Sequence, residues 1–217
     1  MRTAVDIGPP RWRTISARAG HRDDERANMG RLIYLTPTSL DGFIGDGDYS
    51  WSAPYAEEIM TALTVGLADV GTYLYGRRTY ETMAVWETDP TLAEQSSESA
   101  EFAAMWQAAD KVVFSSTLSQ VHTRRTRLDR KLDVQRVAEI KAASRGDLTI
   151  GGPTLAAEAL RLDLVDVVEL LWCPILLGGG IPVLSAGVRR DLRLRSEQRF
   201  NNGVIQATYD VIGQVRP

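Results

Sequence analysis

Thr149-Ile150-Gly151-Gly152-Pro153-Thr154-Leu155 carries an apolar strand end into two glycines and then into a helix that begins near Pro153. Proline suits that place, because its missing N–H has no partner in a first helical turn. The glycines let a ligand approach the backbone directly, and the free N–H groups of a helix start favour anions such as phosphate. Thr154 adds a hydroxyl, either for a phosphate oxygen or as the helix cap. A second turn of the same kind is Tyr75-Gly76-Arg77-Arg78-Thr79-Tyr80-Glu81-Thr82-Met83. There Gly76 permits a tight exit from a strand, while Arg77 and Arg78 offer planar, permanently charged forks to a phosphate. Read alone, it is equally a glycine bend with solvated arginines. Two such turns at strand ends point to an open α/β sheet, since these sheets bind ligands along the carboxyl edge of their strands.

The rest of the chain alternates short apolar runs with amphipathic stretches, the pattern of one α/β domain with a largely parallel sheet. Leu32-Ile33-Tyr34-Leu35 reads as the first strand, ended by Pro37, and a loop rich in glycine and aspartate runs from Asp41 to Asp48. Pro54 opens a helix reaching about Ala68, with Ile59, Met60, Leu63 and Leu67 at helical spacing. Val70 to Tyr75 is a strand, Arg78 to Met83 a short helix, and the polar residues 87–99 read as a surface loop. A helix through Phe102, Met105 and Trp106 leads to a strand from Lys111 to Ser115. Val134, Val137, Ile140 and Lys141 fit a helix; Leu148 to Ile150, Leu155 to Leu162 and Val165 to Trp172 then read as strand, helix and strand. Ser196 to Ile212 reads as an antiparallel hairpin turned at Asn201-Asn202-Gly203, where positive φ is easily accepted.

With 217 residues the chain suits one full domain better than two small ones, and 44% hydrophobic with 24% charged residues is ordinary globular composition. A net charge of -3 disfavours a nucleic-acid surface and leaves small molecules as the expected partners. The single cysteine, Cys173, lies in an apolar run far in sequence from His21 and His122, so it reads as a buried structural thiol in a reducing cytoplasm. The most apolar stretch, Val165 to Leu184, is interrupted by Asp166, Glu169, Pro174 and three glycines and does not span a membrane. Residues 1–28 hold six arginines and four acids with no apolar core, so they read as a disordered or non-native extension before a domain over residues 29–217.

Five motifs in one order resemble the dihydrofolate reductase superfamily, and within it the reductase domain of bacterial riboflavin biosynthesis, the RibD C-terminal type. They are Ser39-Leu40-Asp41-Gly42 with Trp51, Gly76-Arg77-Arg78-Thr79, Ser115-Ser116, Gly151-Gly152, and Pro174-Ile175-Leu176-Leu177-Gly178-Gly179-Gly180-Ile181-Pro182. The resemblance covers residues 31 to about 212. It implies an α/β, dihydrofolate reductase-like three-layer fold with a mixed, mostly parallel central sheet and a C-terminal antiparallel hairpin. It implies NADPH as cofactor, with Gly76, Arg77, Arg78 and Thr79 at its 2′-phosphate and pyrophosphate, Ser115 and Ser116 beside the adenosine, and Gly151, Gly152, Thr154 and Leu155 at the diphosphate and nicotinamide half. A cis peptide between the paired glycines, a substrate wall from Ser39, Trp51 and Gly179, and a possible homodimer through the apolar strand and hairpin belong to the same set of expectations.

The chain departs from the family pattern at the proton donor. The family's tryptophan is followed at plus three by proline and at plus five by an acid; Trp51 and Pro54 keep the first spacing, but plus five is Ala56 and the carboxylates are Glu57 and Glu58. One helical position turns a side chain by about 100°, so Glu57 is either the displaced acid or a solvated residue of the first helical turn. Asp41 and ordered water are the other candidate donors. The expected function is hydride transfer from NADPH to a small pterin-like, pyrimidine-like or carbonyl substrate; the alternative is a protein that keeps the cofactor site without the chemistry. A Rossmann dehydrogenase lacks its G-x-G-x-x-G unit here, a zinc deaminase lacks its cysteines, and no G-K-[ST] follows Gly178-Gly179-Gly180. No metal is expected.

Overall fold

The computed structural model describes residues 30–45 and 57–213; Trp51 and the extension 1–28 lie outside the described residues. The strands are β1 (Leu32–Ser39), β2 (Val70–Gly76), β3 (Asp110–Phe114), β4 (Thr126–Asp129), β5 (Asp147–Gly151), β6 (Val167–Cys173), β7 (Asp191–Arg199) and β8 (Ile205–Gly213). The helices are α1 (Glu57–Gly66), α2 (Arg77–Met83), α3 (Val85–Thr88), α4 (Pro90–Ala93), α5 (Ser97–Ala108), α6 (Val134–Ala143) and α7 (Pro153–Arg161). All eight strands form one sheet in the order β4-β3-β2-β5-β1-β6-β8-β7, parallel from β4 to β6 and antiparallel across β8 and β7. Its two faces bury different sets of side chains, which makes three layers. Leu32, Tyr34, Leu74 and Ile150 meet Val137 and Ile140 of α6 and Ala156 and Leu160 of α7. Tyr73, Tyr75 and Val113 meet Tyr80 of α2 with Phe102 and Trp106 of α5, and Ile59 and Leu63 of α1 pack on Leu171 and Cys173. Central strands buried on both faces explain why β2 and β6 read as apolar runs rather than alternating ones.

Four elements differ from the sequence expectations. β1 continues through Pro37 to Ser39 because its odd residues face β5, as Arg31 does in accepting Leu148 N, and β5 pairs with β1 only as far as Tyr34. The missing N–H of Pro37 therefore falls beyond the end of β5. β4 has no apolar run to announce it; it is a four-residue edge strand, aligned on β3 and tied to α6 by Arg136 Nε on Asp129 at 2.6 Å. Much of the polar stretch 87–99 is helical, since Asp89 caps α4 by accepting from Thr91 N at 3.1 Å with Pro90 in the first turn. β7 begins at Asp191, five residues before the expected hairpin, and every residue of it is exposed. The hairpin turn itself falls at Asn201–Gly203, with Gly203 at φ 87°.

One buried charge shapes the pH dependence of stability. Lys111 is 1% exposed; its ammonium donates to the carbonyls of Trp106 and Ala109 at 3.1 and 3.0 Å and lies 4.3 Å from the Trp106 ring centroid. Burial pushes its pKa down from 10.5 to about 8. Below pH 8 folded and unfolded chains are both protonated there, and the folded one bears the desolvation. As pH rises from about 8 towards 10, the unfolded chain keeps a proton that the folded chain has lost, so stability rises by about 2–3 kcal/mol. Urea unfolding across that interval should show the rise in the wild type and lose it in Lys111→Met; equal slopes in both would refute the assignment.

Candidate active site at the carboxyl edge of the sheet

Parallel pairing brings the carboxyl ends of β3, β2, β5, β1 and β6 side by side. Tyr75 is in register with Gly151 and Gly76 with Phe114, so the turns Gly76–Thr79, Ser115–Leu118 and Gly151–Thr154 are neighbours. The glycine pair is moulded on Thr79. A Cβ on Gly151 would stand 2.8 Å from the Tyr75 ring and 2.9 Å from Thr79 Cγ2, and one on Gly152 would stand 2.7 Å from Thr79 Oγ1. Gly152 takes φ 97°, a backbone state that side chains disfavour. Gly152→Ala should therefore lower stability by about 1–3 kcal/mol in thermal or denaturant unfolding. Thr79→Ala in the same background, which removes the crowded Oγ1, should recover part of any loss due to crowding, whereas no destabilisation at all would disprove the close packing.

Several details correct the sequence reading. The Gly151–Gly152 peptide is trans. Gly152, not Thr154, is the N-cap of α7, and no side chain caps that helix end. Thr154 is exposed, Leu155 half-buried, and the first helical bond of α7 is Ala156 N to Gly152 O at 2.9 Å, so the preceding amides are not spent within the helix. Gly76 is extended at φ -73°, which any residue adopts; what it provides is room, the nearest atom to a Cβ there being Leu155 Cβ at 3.9 Å.

Arg77 is half-exposed, its Nε on Glu81 at 2.8 Å and its Nη1 on Thr117 Oγ1 at 3.3 Å, and Arg78 is exposed beside it. The Ser115 hydroxyl is buried and accepts Thr117 N and Leu118 N at 3.3 and 3.0 Å, while Ser116 is exposed on the turn. Sequence reasoning missed Arg130, which follows β4 and donates Nη1 to the carbonyls of Ser115 and Leu118 at 3.1 and 2.7 Å. No motif surrounds it; only the pairing of β4 with β3 brings it there. Open backbone at Gly76 and Gly151–Gly152, uncapped amides of α7 and guanidinium groups on the adjoining turn fit the phosphates of a dinucleotide.

At the other end of the edge lie the expected substrate residues. Ser39 is fully buried rather than substrate-facing; its Oγ accepts Phe43 N at 2.9 Å and donates to Asp41 Oδ1 at 2.6 Å. Asp41 also accepts Leu177 N on Oδ1 at 3.1 Å and Gly178 N on Oδ2 at 2.7 Å. The Ser39 hydroxyl first, then the two amides, hold its carboxyl below the usual carboxylate range. Gly179 stands at the tip of that loop with no atom within 4 Å of a notional Cβ. Glu57 is exposed at the start of α1, and its carboxylate has no hydrogen bond or ion pair among the described residues. Its neighbour Glu58 is committed, taking Asn201 N at 2.8 Å and Asn201 Nδ2 at 2.9 Å. Cys173 sits opposite Ser39 on β6, buried, its thiol pushed up by desolvation and donating to Leu171 O at 3.6 Å, which suits packing and not nucleophilic work. A cavity of about 320 Å³ lies at the opposite edge of the sheet, where Lys141 and Asp166 pair with each other; none of the candidate residues borders it. Among the described residues no cluster of His, Cys, Asp and Glu suits a metal, and no helix is long and apolar enough to cross a membrane.

The model of the RibD C-terminal domain family matches residues 31–206. The chain belongs to that family. Its relatives include the uncharacterized protein YyaP of Bacillus subtilis (strain 168), 26% identical over 183 residues, which are 82% of this chain and 94% of that one. Among solved structures, a protein of Shewanella sp. PV-4 named for riboflavin biosynthesis is similar at TM-score 0.66 and 23% identity, over 83% of this chain and 98% of the other. The diaminohydroxyphosphoribosylaminopyrimidine deaminase/5-amino-6-(5-phosphoribosylamino)uracil reductase of Thermotoga maritima is similar at TM-score 0.56 and 15% identity, over 86% of this chain and 58% of that one. These likenesses confirm the dihydrofolate reductase-like fold of the RibD C-terminal domain family.

Proposed function

We propose that the chain is an NADPH-dependent reductase acting on a small heterocycle or carbonyl compound. The observation that carries this is the convergence of three phosphate-compatible turns on adjacent strands, with Thr79 packed against the Gly151–Gly152 pair and Arg77 directed to the Ser115–Leu118 turn. The reductase half of the Thermotoga maritima relative's name supports the reaction class. NADPH, when bound, supplies the hydride; the chain positions the two reactants and shields the reaction from water. Arg77, Arg78, Thr79, Ser115 and Ser116 hold the adenosine side, while Gly76, Gly151, Gly152, Thr154 and Leu155 leave room for the diphosphate and the nicotinamide. Gly179 flanks the substrate, and Glu57 delivers the proton as, among the described residues, the one carboxylate at that end without a hydrogen bond or ion pair. Incubation with NADPH and a panel of dihydrofolate, a dihydropteridine and 5-amino-6-(5-phosphoribosylamino)uracil tests the reading. Oxidation of NADPH with one of them supports it, and tight NADPH binding without oxidation on a broadened panel would favour the non-catalytic alternative.

The same reading includes a homodimer built on β7. That strand is one of the two edges of the sheet, with Leu192, Leu194, Ile205 and Ile212 exposed on the hairpin. Laid antiparallel on a second copy with the two Arg195 residues opposed, each paired with its own Asp210, it sets Asp191 against Arg199 and Arg193 against Glu197, pairs of opposite charge. Light scattering should give a dimer that Leu192→Glu with Leu194→Glu converts to a monomer; a monomeric wild type rejects the arrangement.

A further inference from the structure

The geometry points to Asp41 as a positioning residue that clasps the 174–183 loop over the substrate end of the site, and not as a proton donor. This deepens the reductase reading and rests on it for the identity of that end.

The loop is fastened at both of its ends by main-chain bonds. Leu40 N donates to Ile175 O at 2.8 Å near the start; Ile44 N donates to Ile181 O at 2.9 Å, Ile181 N to Gly45 O at 3.0 Å and Val183 N to Gly42 O at 2.9 Å near the finish. Beneath the finish, the buried hydroxyl of Tyr34 donates to Val183 O at 2.9 Å. Between these anchors lie Leu176 to Gly180, and among the described residues their hydrogen bonds are the two amides given to Asp41. Three of those five residues are glycines, Gly178 at φ 74° and Gly180 at φ 122°. Such a segment has little conformational preference of its own, so a carboxylate holding two successive amides decides where it sits.

Asp41 is itself preset. It follows β1 by two residues, and the Ser39 hydroxyl, fixed by Phe43 N, donates to its Oδ1. Three donors therefore converge on one carboxylate, which can accept about four. A proton placed on that group would oppose N–H donors already facing it, so the ionised form is the working form. The loop so held presents Leu176, which is 70% exposed, with Ile175 and Leu40 exposed beside it, an apolar wall at the carboxyl ends of β1 and β6. Such a wall suits the face of a planar ring and requires the loop to be in place before binding.

Amide exchange by nuclear magnetic resonance on the full chain, without cofactor or substrate, tests the clasp. Leu177 and Gly178 should be protected and should titrate together as pH falls through the Asp41 value. Asp41→Ala should speed their exchange by about tenfold or more, with the sheet amides unaffected. Ser39→Ala, which keeps the carboxylate but removes its orienting donor, should give an intermediate rate and guards against misfolding of the first variant. With a substrate from the panel above, Asp41→Asn should raise KM by about tenfold and leave kcat and its pH profile in place. Unchanged exchange in Asp41→Ala overturns the proposal, as does a fall in kcat with a displaced pH profile at constant KM, which would make Asp41 the donor. A chain that binds no NADPH, or reduces nothing, sinks the reductase reading; the exchange rates then still decide the clasp.

Discussion

Arg77→Ala should weaken NADPH by one to two decades and leave NADH nearly unmoved. The 2′-phosphate is dianionic, and a guanidinium directed at it makes a charge-assisted pair that contributes about 1.5–3 kcal/mol, which converts to that loss. On the proposed reading, the orientation of Arg77 would make the residue specific. Glu81 occupies its Nε and Thr117 its Nη1, which directs the group to the turn that carries the exposed Ser116. Arg130 stabilises the far side of that turn through two carbonyls, so Arg130→Ala should reduce NADPH affinity by a smaller factor, through a looser turn. Fluorescence titration of both cofactors measures the ratio. Loss of NADPH and NADH in equal proportion would assign Arg77 to the fold, through its bonds to Glu81 and Thr117, and would remove it from phosphate recognition.

The turns that place Arg77 and the glycine pair were legible in the sequence because their physics is local. A strand, one or two glycines and a helix start are contiguous, and they demand the same residue types wherever they occur. Much of the sheet was legible too, since strands buried on both faces announce themselves as apolar runs such as Val167–Cys173. What stayed hidden depends on pairing across long separations. β4 has a polar sequence and exists because β3 offers it an edge; Arg130 reaches the site only as a consequence. The Asp41 loop closure joins residues 136 and 137 positions apart, and no periodicity in either segment encodes it. Ser39 was expected to face substrate because of its motif, whereas its hydroxyl turns inward to meet Phe43 N and Asp41. A motif identifies a neighbourhood; the direction of each side chain within it follows from the hydrogen bonds that burial requires.

The largest effect is expected at Glu57. Among the described residues three carboxylates stand at the proposed substrate end, and two are spent: Asp41 on Ser39, Leu177 and Gly178, and Glu58 on both nitrogens of Asn201. Glu57, exposed in the first turn of α1, keeps its oxygens free among the described residues. A general acid must carry a proton into the transition state, which a carboxylate already saturated by donors does poorly and an uncommitted one can do. Glu57→Gln should therefore slow single-turnover hydride transfer by about 10²–10⁴-fold while NADPH affinity stays within a few-fold. Glu58→Gln is the control: it should leave the rate intact and lower stability by about 1 kcal/mol, because it weakens the bonds that tie α1 to the hairpin turn. If Glu57 is only a first-turn residue favoured by the helix dipole, its replacement changes stability by a few tenths of a kcal/mol and the rate not at all. An unchanged rate in Glu57→Gln would assign the proton to ordered water, and the substrate end would then act by shape alone.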